Sequence, residues 1–239
     1  MNLEKEIIAD IKKKKTLRNL DDEFVKAILI KKNIKLPSKG KEYKKLIKEV
    51  RAYLHKVYGV FQIKGKELEG STATKERLEI YSYLYKGIFA ITGIPKSILD
   101  IACGLNPLSY KYLERAGFKG AYYATELTKK DCEFINDYFK ENKIKGKAFQ
   151  INLLKDFDYP KADVCFLFKV LDLVEHKLAE EIIKKVKSNY LVISFATRTI
   201  GRRKMNYPRR GWIEQLLKRL NLPYEIITEE NEVFYVVKK

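Results

Sequence analysis

The stretch Asp100-Ile101-Ala102-Cys103-Gly104-Leu105-Asn106-Pro107-Leu108 decides the fold. It begins inside a short apolar run, Ser97–Ile101, and has the character of a buried strand, a tight turn and a helix start. Small Ala102 and Gly104 let the backbone turn sharply and approach a ligand, and Pro107 suits the first turn of a helix. A dinucleotide site needs a fuller Gly-x-Gly-x-x-Gly to seat a pyrophosphate. The stretch therefore predicts a ligand without a phosphate.

Short apolar runs alternate with amphipathic helical segments on the carboxyl side of Pro95. Such runs are typical of parallel strands that are buried on both faces. The predicted strands are Ser97–Ile101, Ala121–Thr125, Ala148–Ile151, Val164–Phe168 and Tyr190–Phe195. The chain then ends in a strand–turn–strand pattern over Tyr224–Thr228 and Val233–Val237, which predicts an antiparallel hairpin at the edge. We therefore expect an α/β fold, a Rossmann-like doubly wound and mostly parallel sheet, with its ligand at the carboxyl ends of the strands.

The first part of the chain has a different pattern. Apolar residues recur there at helical spacing, interrupted by a Pro- and Gly-containing turn at 36–40, which predicts a small helical domain over 1–70. A helix should begin at Ser71, whose hydroxyl can cap free N–H groups, and continue to Gly93. The α/β domain is then expected over 71–239.

The positive charge is concentrated in two blocks of the sequence. The chain of 239 residues has a formal net charge of +18, and residues 1–70 contribute +9 while residues 194–220 contribute +7. A lysine-rich solvated surface is the plain alternative, but concentrated charge is typical of a nucleic-acid footprint. The second block contains Gly201 and Pro208 and is predicted to be a loop. Its candidate RNA-binding residues are Arg198, Arg202, Arg203, Lys204, Arg209 and Arg210.

Composition also narrows the class of protein. No apolar run approaches the roughly 18–20 residues of a membrane-spanning helix, and no secretory signal follows the lysine run at the N-terminus, so we expect a cytoplasmic protein without a membrane partner. The three cysteines are widely spaced, which predicts reduced, buried thiols rather than a disulfide framework or a metal site. Abundant Lys, Glu and Ile with only three Gln favour a thermophilic source.

Polar residues follow the second and third predicted strands. Glu126 stands 22 residues beyond Gly104, where a carboxylate can accept hydrogen bonds from ribose hydroxyls, although a helix-capping carboxylate is the simpler alternative. Asn152 ends the third strand and is placed to meet the polar edge of a base. With the Gly104 loop, these positions predict a pocket for S-adenosylmethionine.

These residues resemble a known family. Asp100–Leu108 is similar to the D-[LI]-A-C-G-[LF]-N-P-L signature of the aminoglycoside-resistance 16S rRNA methyltransferases, which methylate guanine N7 in the decoding site. The resemblance covers about residues 71–239. Ser71-Thr72 and Lys75–Leu78 match one further stretch of the family, with two extra residues between them in this chain. The other matching parts are Leu167–Leu171 with Glu175, Phe195–Arg203, and Asn231–Val236.

The resemblance implies roles for particular residues. Arg77 should pair with the carboxylate of the cofactor's methionine part, a bidentate task suited to arginine, whereas a surface salt bridge to a neighbouring glutamate is the alternative. The other implied cofactor residues are Asp100, Ala102, Cys103, Gly104, Glu126, Leu127, Asn152, Leu153 and Phe168. Asn152 departs from the acidic residue usual in the family. Lys169, Asp172 and Glu175 should form the floor of the target-base site, and the basic N-terminal domain should dock small-subunit rRNA within the assembled subunit.

The atom that is methylated and the biological role remain open at this stage. Guanine N7 has a free lone pair and needs no base, whereas methylation of cytosine N4, once or twice, needs a proton acceptor such as Asp172 or Glu175. The Asp/Asn-Pro-Pro-aromatic motif of amino methyltransferases is absent after the fourth strand, which favours N7. A non-catalytic RNA-binding protein and a small-molecule methyltransferase are less favoured. Housekeeping modification and drug resistance both fit the family resemblance, and the thermophile-like composition favours housekeeping modification as a hypothesis.

Overall fold

The computed structural model describes residues 3–31, 40–59, 67–155, 158–199 and 203–239. The chain divides into two compact units, residues 1–64 and residues 65–239. In the described ranges, no helix is long and apolar enough to cross a membrane.

The N-terminal unit is helical, as its periodicity predicts. Its α-helices are α1 (Leu3–Lys12), α2 (Asp22–Lys31) and α3 (Gly40–Leu54). Ile7, Ile8 and Ile11 of α1 are buried, since residues three and four apart share one face of a helix. Arg51 of α3 donates to the carbonyls of Asp10 and Ile11 at the end of α1, which supplies cationic donors where a helix leaves carbonyls free. The predicted turn at 36–40 lies outside the described residues except for Gly40.

The second unit is built on a sheet in the order β3-β2-β1-β4-β5-β7-β6. The strands are β1 (Ser97–Ile101), β2 (Ala121–Glu126), β3 (Gly146–Gln150), β4 (Ala162–Phe168), β5 (Ser188–Ala196), β6 (Tyr224–Thr228) and β7 (Glu232–Lys238). The pairs among β1 to β5 are parallel, whereas β7 is antiparallel to both β5 and β6. The predicted fold class is confirmed, and the final hairpin adds β7 beside β5 with β6 at the edge.

Helices precede this sheet and connect its strands. Those that precede it are α4 (Thr72–Arg77) and α5 (Tyr81–Thr92), and those that connect its strands are α6 (Tyr110–Arg115), α7 (Lys129–Glu141), α8 (His176–Lys185) and α9 (Gly211–Arg219). The central strands β1 and β4 are almost entirely buried, which explains why their sequences are continuous apolar runs. Because the chain order reverses between β1 and β4, a crevice for a ligand is expected at their carboxyl ends.

The predicted single helix from Ser71 to Gly93 is wrong. It is two helices, α4 and α5, separated by a turn in which the N–H groups of Leu78 and Ile80 bond to carbonyls three residues back. Ser71 occupies the N-cap position of α4, but its side chain makes no capping hydrogen bond. Thr74 instead donates to the carbonyls of Leu68 and Ser71.

Candidate functional site

The loop after β1 adopts a backbone conformation that favours glycine. Ala102 has a φ of +51° and Gly104 a φ of +55°, and the tight turn needs both values. The first residues of the loop are bound to β2: the Ala102 N–H donates to Thr125 Oγ1 at 3.1 Å and the Cys103 N–H to the Thr125 carbonyl at 3.1 Å. A side chain built at Gly104 would meet no atom within 4 Å. The backbone at Gly104 therefore borders open space at the carboxyl edge of the sheet.

Glu126 closes the other side of this loop. Its Oε1 accepts the Gly104 N–H at 2.6 Å, and its Oε2 accepts the Leu127 N–H at 3.1 Å. Burial of the carboxylate raises the pKa of Glu126 to about 7, although the two backbone donors oppose the shift. The structure thus brings Glu126 and Gly104 together, as their spacing predicts. Ala102 and Leu127 are partly exposed at the same edge, and Cys103 is a buried thiol whose pKa is raised by burial.

A buried polar network lies beneath the loop. Asp100 Oδ2 accepts hydrogen bonds from the Tyr122 hydroxyl at 2.5 Å and from Asn106 Nδ2 at 2.8 Å. Asn106 Oδ1 in turn accepts the Tyr81 hydroxyl at 2.8 Å. Burial raises the pKa of Asp100 to about 6, against the effect of its two donors. Asp100 Oδ1 is buried and has no hydrogen-bond partner among the described residues, which leaves one acceptor for a ligand.

Asn106, Tyr81 and Tyr122 are site residues that the sequence reasoning missed. Asn106 lies inside the stretch that decides the fold, and its position in that stretch is a sequence signal for its place beneath the loop. The tyrosines lie in α5 and β2, where an aromatic residue with an apolar neighbour is ordinarily assigned to the core.

Arg77 is buried in an ion pair with a residue of the final hairpin. Its Nε donates to Glu232 Oε2 at 2.8 Å and its Nη2 to Glu232 Oε1 at 2.7 Å, and both side chains are at most 3% exposed. The guanidinium lies 4.7 Å from the ring centre of Phe168, and the Ser194 hydroxyl also donates to Glu232. Burial alone would raise the pKa of Glu232, but Arg77 and Lys169 hold it below its ordinary value. The alternative of a surface salt bridge for Arg77 is therefore wrong. The ion-pair partner of Arg77 is Glu232 of the final hairpin.

Lys169 follows β4 with a φ of +58°, which is unusual for a lysine. Its N–H donates to the carbonyl and hydroxyl of Ser194, and its Nζ lies 2.7 Å from Glu76 Oε2 and 3.3 Å from Glu232 Oε2. A cavity of about 600 Å³ adjoins Glu76. The cavity is lined by Glu69, Gly70, Lys75, Glu76, Glu79, Arg198, Glu230 and Asn231. Lys169 is therefore a fixed, paired cation next to a polar cavity.

Asp172 and Glu175, predicted with Lys169 as the floor of the target-base site, both follow β4. Asp172 accepts from Arg210, whose Nη2 lies 2.9 Å from Asp172 Oδ2. Glu175 is the exposed N-cap residue of α8. The shared floor stays a prediction, and Asp172 is already paired with an arginine of the basic loop.

Asn152 makes a local turn contact. Its Oδ1 accepts the Leu154 N–H at 2.9 Å, an Asx-type turn that engages the oxygen predicted to contact adenine. Leu153 packs partly buried against the main core. Phe168 is buried and stacks on Phe166 with ring centres 4.7 Å apart.

The predicted RNA-binding residues fall into two groups. Arg198 pairs with Glu230, Arg209 with Glu214 at 2.7 Å, and Arg210 with Asp172, so three of the arginines also hold the loop in place. Arg203 and Lys204 are exposed. Arg202 lies outside the described residues. Arg210 has a side chain only 14% exposed and holds the loop through Asp172, and its RNA contact stays a prediction.

All three cysteines are free and buried, as predicted.

Comparison with known proteins gives consistent results. The sequence matches the family described as Ribosomal RNA methyltransferase (FmrO) over residues 32–219. It is 30% identical over 199 residues to the 16S rRNA (guanine(1405)-N(7))-methyltransferase of Proteus mirabilis, covering 67% of this chain and 71% of that protein. It is 25% identical to the enzyme of the same description from Frankia casuarinae, covering 70% of this chain but only 61% of that protein.

Solved structures show the same fold. The structure of the 16S rRNA methylase RmtB aligns with a TM-score of 0.79 at 24% identity, covering 100% of this chain and 99% of that one. The 16S rRNA methyltransferase RmtF in complex with S-adenosyl-L-homocysteine aligns with a TM-score of 0.78 at 19% identity, again over 100% and 99% of the two chains. The similarity thus extends over both units of the chain.

Proposed function

This chain belongs to the ribosomal RNA methyltransferase (FmrO) family, and we propose that it transfers the methyl group of S-adenosylmethionine to N7 of a guanine in the decoding region of 16S rRNA. The relatives named as 16S rRNA (guanine(1405)-N(7))-methyltransferases support the base and the atom. The observation that carries the proposal is the edge formed by Asp100, Gly104 and Glu126.

This edge fits S-adenosylmethionine chemically. The unpartnered Asp100 Oδ1 matches the ammonium group of the methionine part, and the open space beside Gly104 matches its carbon chain. The two oxygens of Glu126 match the two ribose hydroxyls, which would take the place of its backbone donors. The bound cofactor supplies a methyl group on a positively charged sulfur. The protein then has to position that methyl group in line with the acceptor atom.

Other cofactor contacts follow from the same edge. Arg77, whose guanidinium pairs with Glu232 and also hydrogen-bonds to Tyr81, would in addition bind the methionine carboxylate, and Ala102 and Cys103 would line the chain. Leu127 and Leu153 would flank the adenine, with Phe168 beneath Arg77 and Asn152 holding the loop. The buried Glu232 keeps the guanidinium in one orientation, which favours binding because no side-chain freedom is then lost.

Guanine N7 suits this site better than an exocyclic amine. The N7 lone pair attacks without losing a proton, so no general base is needed. Asp172, which could accept a proton from cytosine N4, is occupied by Arg210. The cavity that adjoins Glu76 is lined by four glutamates, of which Glu76 and Glu230 already pair with Lys169 and Arg198. The carboxylates of the other two, Glu69 and Glu79, can accept the N1–H and N2–H donors on the edge of guanine opposite N7. We therefore place the target base in this cavity.

Charge supports the RNA substrate. Arg203, Lys204 and Arg209 are exposed on the loop after β5, and the N-terminal unit is strongly basic. We propose that the two regions contact rRNA phosphates in the assembled small subunit, with the target base extruded from its helix. A non-catalytic binding protein would have no use for the orphaned Asp100 oxygen, and a small-molecule enzyme none for the basic loop.

The direct test is incubation of small ribosomal subunits with labelled S-adenosylmethionine, followed by nuclease digestion and mass spectrometry of the nucleosides. We expect a single product, 7-methylguanosine. Methylated cytidine would retain the fold and cofactor but contradict the proposed atom. Absence of label in RNA, with cofactor binding intact, would favour a small-molecule substrate.

Cofactor binding should depend on pH. The raised pKa of Glu126, about 7, means that this group is protonated in acid and then loses acceptor capacity for the ribose hydroxyls. We expect the Kd for S-adenosylhomocysteine to be constant above about pH 8 and to increase toward tenfold per unit as the pH falls below 7. Titration calorimetry from pH 6.3 to 8.5 measures this. In Glu126→Gln the affinity for S-adenosylhomocysteine should be low at every pH, and its pH dependence should be much reduced. A wild-type Kd that does not change with pH would contradict the role of Glu126 in binding the ribose.

Asp172→Asn distinguishes the two target atoms. If N7 is the acceptor, Asp172 only holds Arg210, and the single-turnover rate at saturating subunits should fall less than about threefold. If Asp172 took a proton from an exocyclic amine, the loss should be about 100-fold or more. Asn keeps the size and one acceptor for Arg210, so folding is preserved. Rapid-quench assays of the purified variant against wild type give the answer.

A further inference from the structure

Tyr207 is the most exposed large hydrophobic side chain in the described ranges. Its side chain is 86% exposed, compared with 66% for Ile30, 59% for Ile94 and 49% for Tyr83. A tyrosine ordinarily buries much of its large ring, so such exposure requires an explanation. The four residues are separated in the sequence and lie in different elements, and Tyr207 lies among basic residues. An apolar protein partner is therefore a poor match for this position.

The structure holds the backbone on either side of Tyr207. Arg210 Nη1 donates to the Pro208 carbonyl at 2.9 Å, and Arg210 Nη2 lies 3.6 Å from Met205 Sδ. The Met205 N–H also donates to the Thr197 carbonyl at 2.9 Å. One guanidinium thus contacts both flanks of the Asn206-Tyr207 pair. Pro208 adds stiffness, because the residue before a proline is restricted to extended conformations.

Arg210 also anchors the base of this loop to the sheet. Its Nη2 donates to the carbonyl of Ala196, the last residue of β5, at 3.0 Å, and to Asp172, which follows β4. Both attachment points are at carboxyl ends of parallel strands. The base of the loop is therefore at the same edge of the sheet as Gly104 and Lys169.

We infer that Tyr207 is a platform on which an unpaired rRNA base near the methylated guanine stacks. The inference rests on the proposed function and adds a recognition residue to it. Exposed aromatic rings flanked by cations are the usual means of binding unstacked bases, since every base has a π-face and the adjacent phosphates pair with the cations. Arg203 and Lys204 are exposed on the same loop to supply those cations. A platform already fixed in place loses little conformational freedom on binding.

The test is the Kd for small ribosomal subunits of Tyr207→Ala, Tyr207→Phe and Tyr207→Trp. We expect Tyr207→Ala to bind about tenfold more weakly, within the range for loss of one base–aromatic stack, while Phe and Trp remain within about twofold of wild type. Tyr83→Ala is the control: Tyr83 is a 49% exposed tyrosine on α5 whose hydroxyl donates to Glu229, and the Kd for subunits should be unchanged in this variant. Binding of S-adenosylhomocysteine and the melting temperature should be unaltered in the Tyr207 variants.

Salt dependence separates stacking from a general effect on charge. The slope of log Kd against log salt should be the same in Tyr207→Ala as in wild type, whereas Lys204→Ala should reduce its magnitude by about one. Wild-type affinity in Tyr207→Ala, or equal losses in Ala, Phe and Trp, would overturn the inference alone. A wild-type protein that neither binds nor methylates the subunits would overturn the proposed function and this inference with it.

Discussion

Gly104→Ala should weaken binding of S-adenosylmethionine by about 10- to 100-fold and leave the protein folded. The expected loss follows from overpacking of roughly 1–3 kcal/mol where the added methyl group enters the space assigned to the methionine chain. Within the protein itself that methyl group meets nothing within 4 Å. The cost to the folded state is thus limited to the φ of +55°, on the order of 1–2 kcal/mol for a residue with a Cβ.

Gly93→Ala is the matched control for that experiment. Gly93 also has a positive φ, +72°, with open space where a side chain would extend. It ends α5 ahead of β1, so it lies near the amino edge of the sheet, away from the Gly104 loop. Gly93→Ala should therefore lower the melting temperature by a similar or larger amount without changing the Kd for the cofactor. Calorimetry and thermal unfolding of both variants measure the two effects, and unchanged affinity in Gly104→Ala would refute the placement of the cofactor.

The elements of the sheet were predictable because each depends on residues close together in sequence. A strand buried on both faces must be continuously apolar, and Val164–Phe168 and Tyr190–Phe195 satisfy that locally. The proximity of Gly104 and Glu126 was also predictable, because the ends of adjacent parallel strands meet at one edge. Neither inference needs knowledge of which distant side chains touch.

The partners in ion pairs were not predictable from the sequence, because they lie far apart along the chain. Arg77 and Glu232 are 155 residues apart, and no local pattern in the sequence indicates that they pair. Arg210 binds Asp172 across 38 residues, and this contact changes the interpretation of both. A loop charge pairs with whichever opposite charge the fold brings within reach, which composition does not specify.

Arg77→Met alone should lower stability by about 3–5 kcal/mol, because it leaves the carboxylate of Glu232 buried without its main partner. For a unit of this size the melting temperature should fall by roughly 10 °C. Arg209→Met is the matched control: Arg209 makes a similar bidentate contact with Glu214, but its side chain is 58% exposed. An exposed pair contributes about 1 kcal/mol or less, so that variant should melt close to wild type. Equal effects in the two variants would contradict the importance of burial.

The pH dependence of this pair follows from the lowered pKa of Glu232. A carboxylate whose folded-state pKa is below its unfolded value stabilises the protein above the unfolded value, about 4.3, and this stabilisation is lost as the pH falls through the folded-state pKa. The difference in unfolding free energy between wild type and Arg77→Met should thus be largest where Glu232 is ionised in both proteins, and it should shrink as the pH falls through the Glu232 pKa of the variant, which burial raises once Arg77 is removed. Chemical denaturation at several pH values measures it.

The double variant Arg77→Met with Glu232→Leu separates the structural role of Arg77 from its cofactor role. Replacing both members of a buried pair with apolar residues is often neutral, so the double variant should recover most of the lost stability. Lys169 keeps Glu76 as its partner at 2.7 Å. If Arg77 also binds the methionine carboxylate, the recovered protein should still bind S-adenosylhomocysteine at least about tenfold more weakly, since charge-assisted hydrogen bonds contribute roughly 1.5–3 kcal/mol. Wild-type cofactor affinity in a stable double variant would limit Arg77 to joining α4 to the final hairpin, and another residue would have to hold the carboxylate.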